Sequence, residues 1–146
     1  MMQSKHIALS ACLALLVMFG TVACGSKPAG TSTTTANAVK VTEVSLGRAI
    51  GGDKSISDSA DNFKPGDTIY ASVATDGTAP SATLRAKWTF EDGQTVDEST
   101  RTIAPAGRER TEFHISKPNG LPAGKYKVEV FLNDQPAGTK SFDVKS

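Results

Sequence analysis

Arg85, Lys87, Lys125 and Lys127 stand at alternate positions in two segments whose intervening residues are apolar: Leu84, Ala86 and Trp88 in one, Tyr126, Val128 and Val130 in the other. Alternation of period two puts successive side chains on opposite faces of a β-strand, so the four cations belong to outward faces. If the two segments are neighbours, the cations form a local positive patch for an acidic or polyanionic partner. Phe131, out of phase with Val130 and Leu132, belongs either to a contact surface or beneath a loop.

Other reactive side chains offer less. Beyond residue 23 the chain has one histidine, His114, between Phe113 and Ile115, and no GxSxG turn or other catalytic signature stands near it. His114 is therefore expected to face solvent as a structural residue. One histidine without an available cysteine does not make a zinc site. Asp53, Asp58 and Asp61 lie with serines in GGDKSISDSADN, but lack the alternate-position carboxylates and closing glutamate of a calcium loop, so a solvated loop is expected over 51–62. Asp92, Asp97 and Glu98 fall where nothing would raise one carboxyl pKa over another. The expectation is no catalytic residue, no metal and no cofactor.

These residues must be carried by a fold, and the fold by a compartment. Residues 1–6 hold one Lys ahead of an apolar run from Ile7 to Phe19, interrupted by Ser10. As a helix it spans about 20 Å, short of the roughly 30 Å hydrocarbon core of a membrane. A basic start, an apolar centre and the small residues Thr21-Val22-Ala23 read as an export signal over residues 1–23. Cys12 leaves with it, and Cys24 then has no cysteine partner. A lone exposed thiol is a liability in an oxidising compartment.

Ala23-Cys24-Gly25 resembles the lipobox of bacterial lipoproteins, in which the cysteine becomes the acylated first residue of the mature chain. The resemblance implies lipidation at Cys24, with palmitate-type acyl chains as the membrane anchor. At about 0.8 kcal/mol per buried methylene, several chains hold a protein stably without a spanning helix. An ordinary cut after Ala23, leaving a free thiol, is the alternative, and both readings export the chain. Gly25 resembles the sorting residue of outer-membrane lipoproteins, which implies the outer membrane in a Gram-negative cell and the cell envelope in general. Residues 24–38, ending in GSKPAGTSTTTANA, have too little apolar surface to offset the cost of ordering and are expected to be a flexible tether.

The remainder, 39–146, suits one domain. Short runs of Val, Ile, Thr, Tyr, Phe and Trp are cut repeatedly by Gly, Pro, Asn and Asp, with no helical period. About seven strands are expected. The first, from Val39, slips phase once, as at a bulge. Pro65-Gly66 is expected to form a type II turn with positive φ at Gly66. SATLRAKWTF is a half-buried strand centred on Trp88, returning through Glu91-Asp92-Gly93-Gln94 to a polar strand suited to a sheet edge.

The lone Trp on the third strand and the pattern LPAGKYKVEVFLND resemble immunoglobulin-like and fibronectin-type bacterial domains. That resemblance implies an all-β fold, a single antiparallel β-sandwich, with Tyr126 as a tyrosine corner. It specifies an architecture and no activity. The sixteen Lys and Arg of the full chain lose only Lys5 with the leader, leaving 15 against 15 Asp and Glu. That balance gives no general pull toward nucleic acid. The expected function is a lipid-anchored, non-enzymatic envelope module that binds a protein or glycan through an edge strand or end loops. The alternative is a structural spacer of an envelope assembly; an enzyme has least support.

Overall fold

The computed structural model describes residues 38–146. The expected leader, Cys24 and the tether up to residue 37 lie outside them. Alternation of apolar and polar residues, broken by turn formers, produces strands throughout: β1 (Lys40–Ile50), β2 (Ile56–Ser59), β3 (Asn62–Phe63), β4 (Ile69–Asp76), β5 (Ala82–Phe90), β6 (Gln94–Ile103), β7 (Glu109–Ile115), β8 (Gly124–Leu132) and β9 (Gln135–Val144). They form a four-stranded sheet, β2-β1-β4-β7, and a five-stranded sheet, β3-β9-β8-β5-β6. Every pairing is antiparallel except β3 with β9. The fold is all-β, with nine strands where about seven were expected. Of the two additions, β2 lies within the segment 51–62 expected as a solvated loop, and β3 spans its last residue and Phe63. They are short and held by backbone pairing to β1 and β9, so they leave little apolar period to read.

The β1 slip falls between Val41 and Glu43 against β4. The polar partner β6 is an edge strand, and its ladder to β5 skips Val96, whose carbonyl accepts a bond from Lys117 Nζ at 3.2 Å. The turn before β4 differs from expectation, because Gly66 does not adopt positive φ. Asp67 N–H donates to Lys64 O at 3.0 Å while the Asp67 carboxylate accepts the Lys64 N–H at 2.8 Å. This closes the turn without the left-handed glycine that a type II turn needs. Between β8 and β9, Asn133 and Asp134 take φ of 50° and 64°, the two positive values of a type I′ hairpin.

The inward faces meet in one core. Leu46, Ile69, Ala71, Val73, Phe113 and Ile115 come from one sheet; Leu84, Ala86, Trp88, Val128 and Val130 come from the other. Trp88 is fully buried, as expected, and meets Phe142 edge-on at 5.9 Å. Phe142 also stacks on Tyr126 at 5.2 Å and meets Phe63 edge-on at 5.5 Å. At roughly 25 cal/mol per Å², burying an indole contributes several kcal/mol before entropic losses. Tyr126 Oη donates to Pro122 O at 2.8 Å, which forms the expected tyrosine corner and ties the β7–β8 connection to β8.

Candidate functional site

The five-stranded sheet brings all four sequence-predicted cations to its outer face. β5 and β8 are neighbours, in a register that sets Arg85 opposite Phe131, Lys87 opposite Glu129 and Thr89 opposite Lys127. The same register interleaves the cations with acids. Arg85 lies 3.6 Å from Glu98 and 3.5 Å from Asp134, and its guanidinium covers the Phe131 ring at 4.0 Å. Phe131 is thus packed beneath an arginine. Lys127 pairs with Glu129 at 3.3 Å, and Lys125 faces Asp143 on β9. Exposed pairs of this kind contribute about 0–1 kcal/mol each, so they shape the face more than they stabilise it.

Toward the C-terminal end of β9 the face sinks into an open hollow of about 400 Å³. Two cross-strand rows floor it: Ser141, Lys127 and Thr89 in one, and Asp143, Lys125 and Glu91 in the next. Asp61 and Asn62 close the side formed by β3. Glu91 is fixed at φ 45°; its N–H donates to Lys125 O at 2.8 Å and its carboxylate accepts the Lys125 N–H at 2.9 Å. Gly124 makes this possible, because a Cβ there would sit 2.4 Å from Glu91 Oε1 and 2.5 Å from the Phe90 ring. Thr89 is 3% exposed and its hydroxyl has no hydrogen-bond partner among the described residues. Among the described residues, the carboxylates of Asp61 and Asp143 likewise make no hydrogen bond or ion pair.

The outer face of the four-stranded sheet is bonded differently. Arg110 reaches Glu43 at 3.1 Å and donates to Ser72 Oγ at 3.3 Å, while Ser72 donates to Lys54 O at 2.6 Å. Hydrogen bonds from Ser45 and then Arg110 hold the Glu43 carboxyl below its usual range. His114 is exposed, as expected, with Nδ1 at 2.5 Å from Glu112 and its ring tilted against Tyr70.

The three aspartates of segment 51–62 are dispersed. Asp53 accepts from Ser55 N–H and Oγ, which lowers its pKa; Asp58 is 3.8 Å from Arg48; Asp61 lines the hollow. Among the described residues no three His, Cys, Asp or Glu side chains are placed to hold a metal ion. Sequence reasoning missed the hollow. Thr89 was readable as an outward residue of its strand, but the approach of Asp61 and Asn62 depends on the parallel pairing of β3, which no alternation signals.

No family model matches the chain, and no curated protein matches it. Among solved structures it is similar to an immunoglobulin-like protein from Pseudomonas aeruginosa, with a TM-score of 0.50 and 19% identity over 76% of this chain and 99% of that one. It is also similar to part of a Paenibacillus cycloisomaltooligosaccharide glucanotransferase complexed with cycloisomaltoheptaose: TM-score 0.51, 19% identity, 73% of this chain and 14% of that one. A third likeness is to a CARDB domain from Pyrococcus furiosus in complex with di-metal ions, with a TM-score of 0.47 and 13% identity over 76% of this chain and 89% of that one. The domain is an immunoglobulin-like β-sandwich. At such identities the likeness concerns the fold, and function has to be argued from the site.

Proposed function

We propose that this protein is a lipid-anchored envelope protein, moored through an acylated Cys24, whose non-catalytic immunoglobulin-like module holds an envelope partner on the outer face of its five-stranded sheet. The anchor is supported by Ala23-Cys24-Gly25 behind an apolar run too short to span a membrane. The observation that carries the binding role is the position and state of the hollow. The chain enters the domain at Val39 and Lys40, beside Gln135, Pro136 and Ala137 at the start of β9. The hollow lies near Ser141 to Asp143, about 20 Å further along that strand at roughly 3.4 Å per residue. The hollow therefore lies toward the opposite end of β9 from the place where the chain enters the described domain, and among the described residues the side chains of Lys125, Asp61 and Asp143 make no hydrogen bond or ion pair.

The test uses the full chain in its native envelope. Intact mass of the purified protein is expected to carry the acyl adduct, and Cys24→Ser is expected to move it from the membrane to the soluble fraction. A photo-crosslinker at Lys125 is expected to capture a stoichiometric partner that one at Glu112, on the opposite sheet, does not. An unmodified Cys24 contradicts the anchor. Equal capture from both faces, as for a passive spacer, contradicts the binding face.

A further inference from the structure

The hollow makes a narrower demand than an unspecified partner, and the following rests on reading that face as the binding face. We infer that the hollow is a subsite for a neutral, polyhydroxylated ligand, a sugar ring of an oligosaccharide. Its lining excludes the other ligand chemistries in turn. Three carboxylates, Asp61, Glu91 and Asp143, face two ammonium groups, Lys125 and Lys127, so an anion meets a net opposing charge. A bare cation lacks a cage, because no three ligating side chains among the described residues converge on one point. An apolar ligand finds no platform, since Tyr126 and Phe142, the aromatic residues at its edge, are each 3% exposed and turned into the core.

A sugar hydroxyl satisfies what remains. It donates to a carboxylate such as Asp61 or Asp143 while accepting from a lysine ammonium, and adjacent hydroxyls on a ring repeat that pairing across neighbouring strands. The alternation of acid and base along Asp143, Lys125 and Glu91 is the pattern such a ligand reads. Thr89 is the independent sign. Thr89 lines the hollow, and its hydroxyl, almost without open surface, has no partner among the described residues, whereas buried hydroxyls nearly always have one. The volume of about 400 Å³ lies within the range of about 300–1,000 Å³ that small-molecule sites occupy.

The experiment presents the purified full chain, in detergent micelles, to an array of neutral gluco-, manno- and N-acetylglucosamine oligosaccharides. Retained sugars are then titrated against wild type, Thr89→Val, Asp143→Asn and Glu112→Gln. Thr89→Val and Asp143→Asn are expected to weaken binding at least tenfold, with melting temperatures at or near wild type, while Glu112→Gln on the opposite sheet binds as wild type does. A blank array, or affinity unchanged by both hollow substitutions, overturns the assignment. A protein captured from the Lys125 position while the array stays blank overturns the sugar and leaves the binding face standing. Should Thr89→Val unfold, Asp143→Asn carries the same decision, because it keeps the residue's shape and removes only its charge.

Discussion

On the outer face of the four-stranded sheet Ser72 is fully buried, and its hydroxyl donates to Lys54 O while receiving Arg110. On the outer face of the five-stranded sheet Thr89 is almost as deeply buried, and its hydroxyl meets no partner among the described residues. The two residues are alike in chemistry and in placement on a central strand. Their difference lies in what crosses above them. The loop from Gly51 to Ser55 folds over the first face and supplies a carbonyl; among the described residues no group supplies one to Thr89. On one face Ser72 is paired with backbone and with Arg110, which also reaches Glu43. The other keeps an open hollow and, among the described residues, uncommitted carboxylates and an unmet hydroxyl, which is what supports the proposed binding face.

The largest expected effect tests how the open face is built. Gly124→Ala places a Cβ against Glu91 and the Phe90 ring at φ +152°, and should cost about 3 kcal/mol or more from strain and overlap combined. Urea unfolding measures it, and a loss below 1 kcal/mol would show that Glu91 is not held as described. On the closed face, Ser72→Ala leaves the Lys54 carbonyl unpaired and should cost about 1–2 kcal/mol.

A pH series probes the corner beneath the open face. Burial, and then the charge of Glu91, raise the Tyr126 pKa above its ordinary value of 10.0. A phenol whose folded pKa is raised contributes stability that is fully present below pH 10 and lost as pH rises through the folded value, because the unfolded chain sheds the proton first. Stability should therefore fall above pH 10, and in Tyr126→Phe that part of the alkaline loss should vanish. The smallest expected effect belongs to Thr89→Val, at about zero or slightly stabilising, since it removes a buried donor that has no partner.

Much of this fold is legible in the chain. The alternation around Trp88 and Tyr126 marks two strands, their inward faces and the outward placement of Arg85, Lys87, Lys125 and Lys127, while their adjacency is established by the β5–β8 ladder. Other features depend on contacts that period two cannot encode. Phe131 looks exposed until Arg85 is laid over it by the β5–β8 register. Gly66 looks like a left-handed turn residue until the Asp67 carboxylate closes the turn from the other side. Asp61 reads as one of three loop aspartates, yet β3 pairs in parallel with β9 and carries it to the hollow, away from Asp53 and Asp58. The charges of a face are readable residue by residue, whereas their pairing is a property of register.

The comparison of the two faces reduces to a single pair of unfolding curves, Ser72→Ala and Thr89→Val, each measured in urea against wild type. The account predicts opposite outcomes: a lower midpoint for Ser72→Ala, and an unchanged or higher one for Thr89→Val. A midpoint that falls as far for Thr89→Val as for Ser72→Ala would mean that the Thr89 hydroxyl is already satisfied, and that the five-stranded face is as closed as its counterpart.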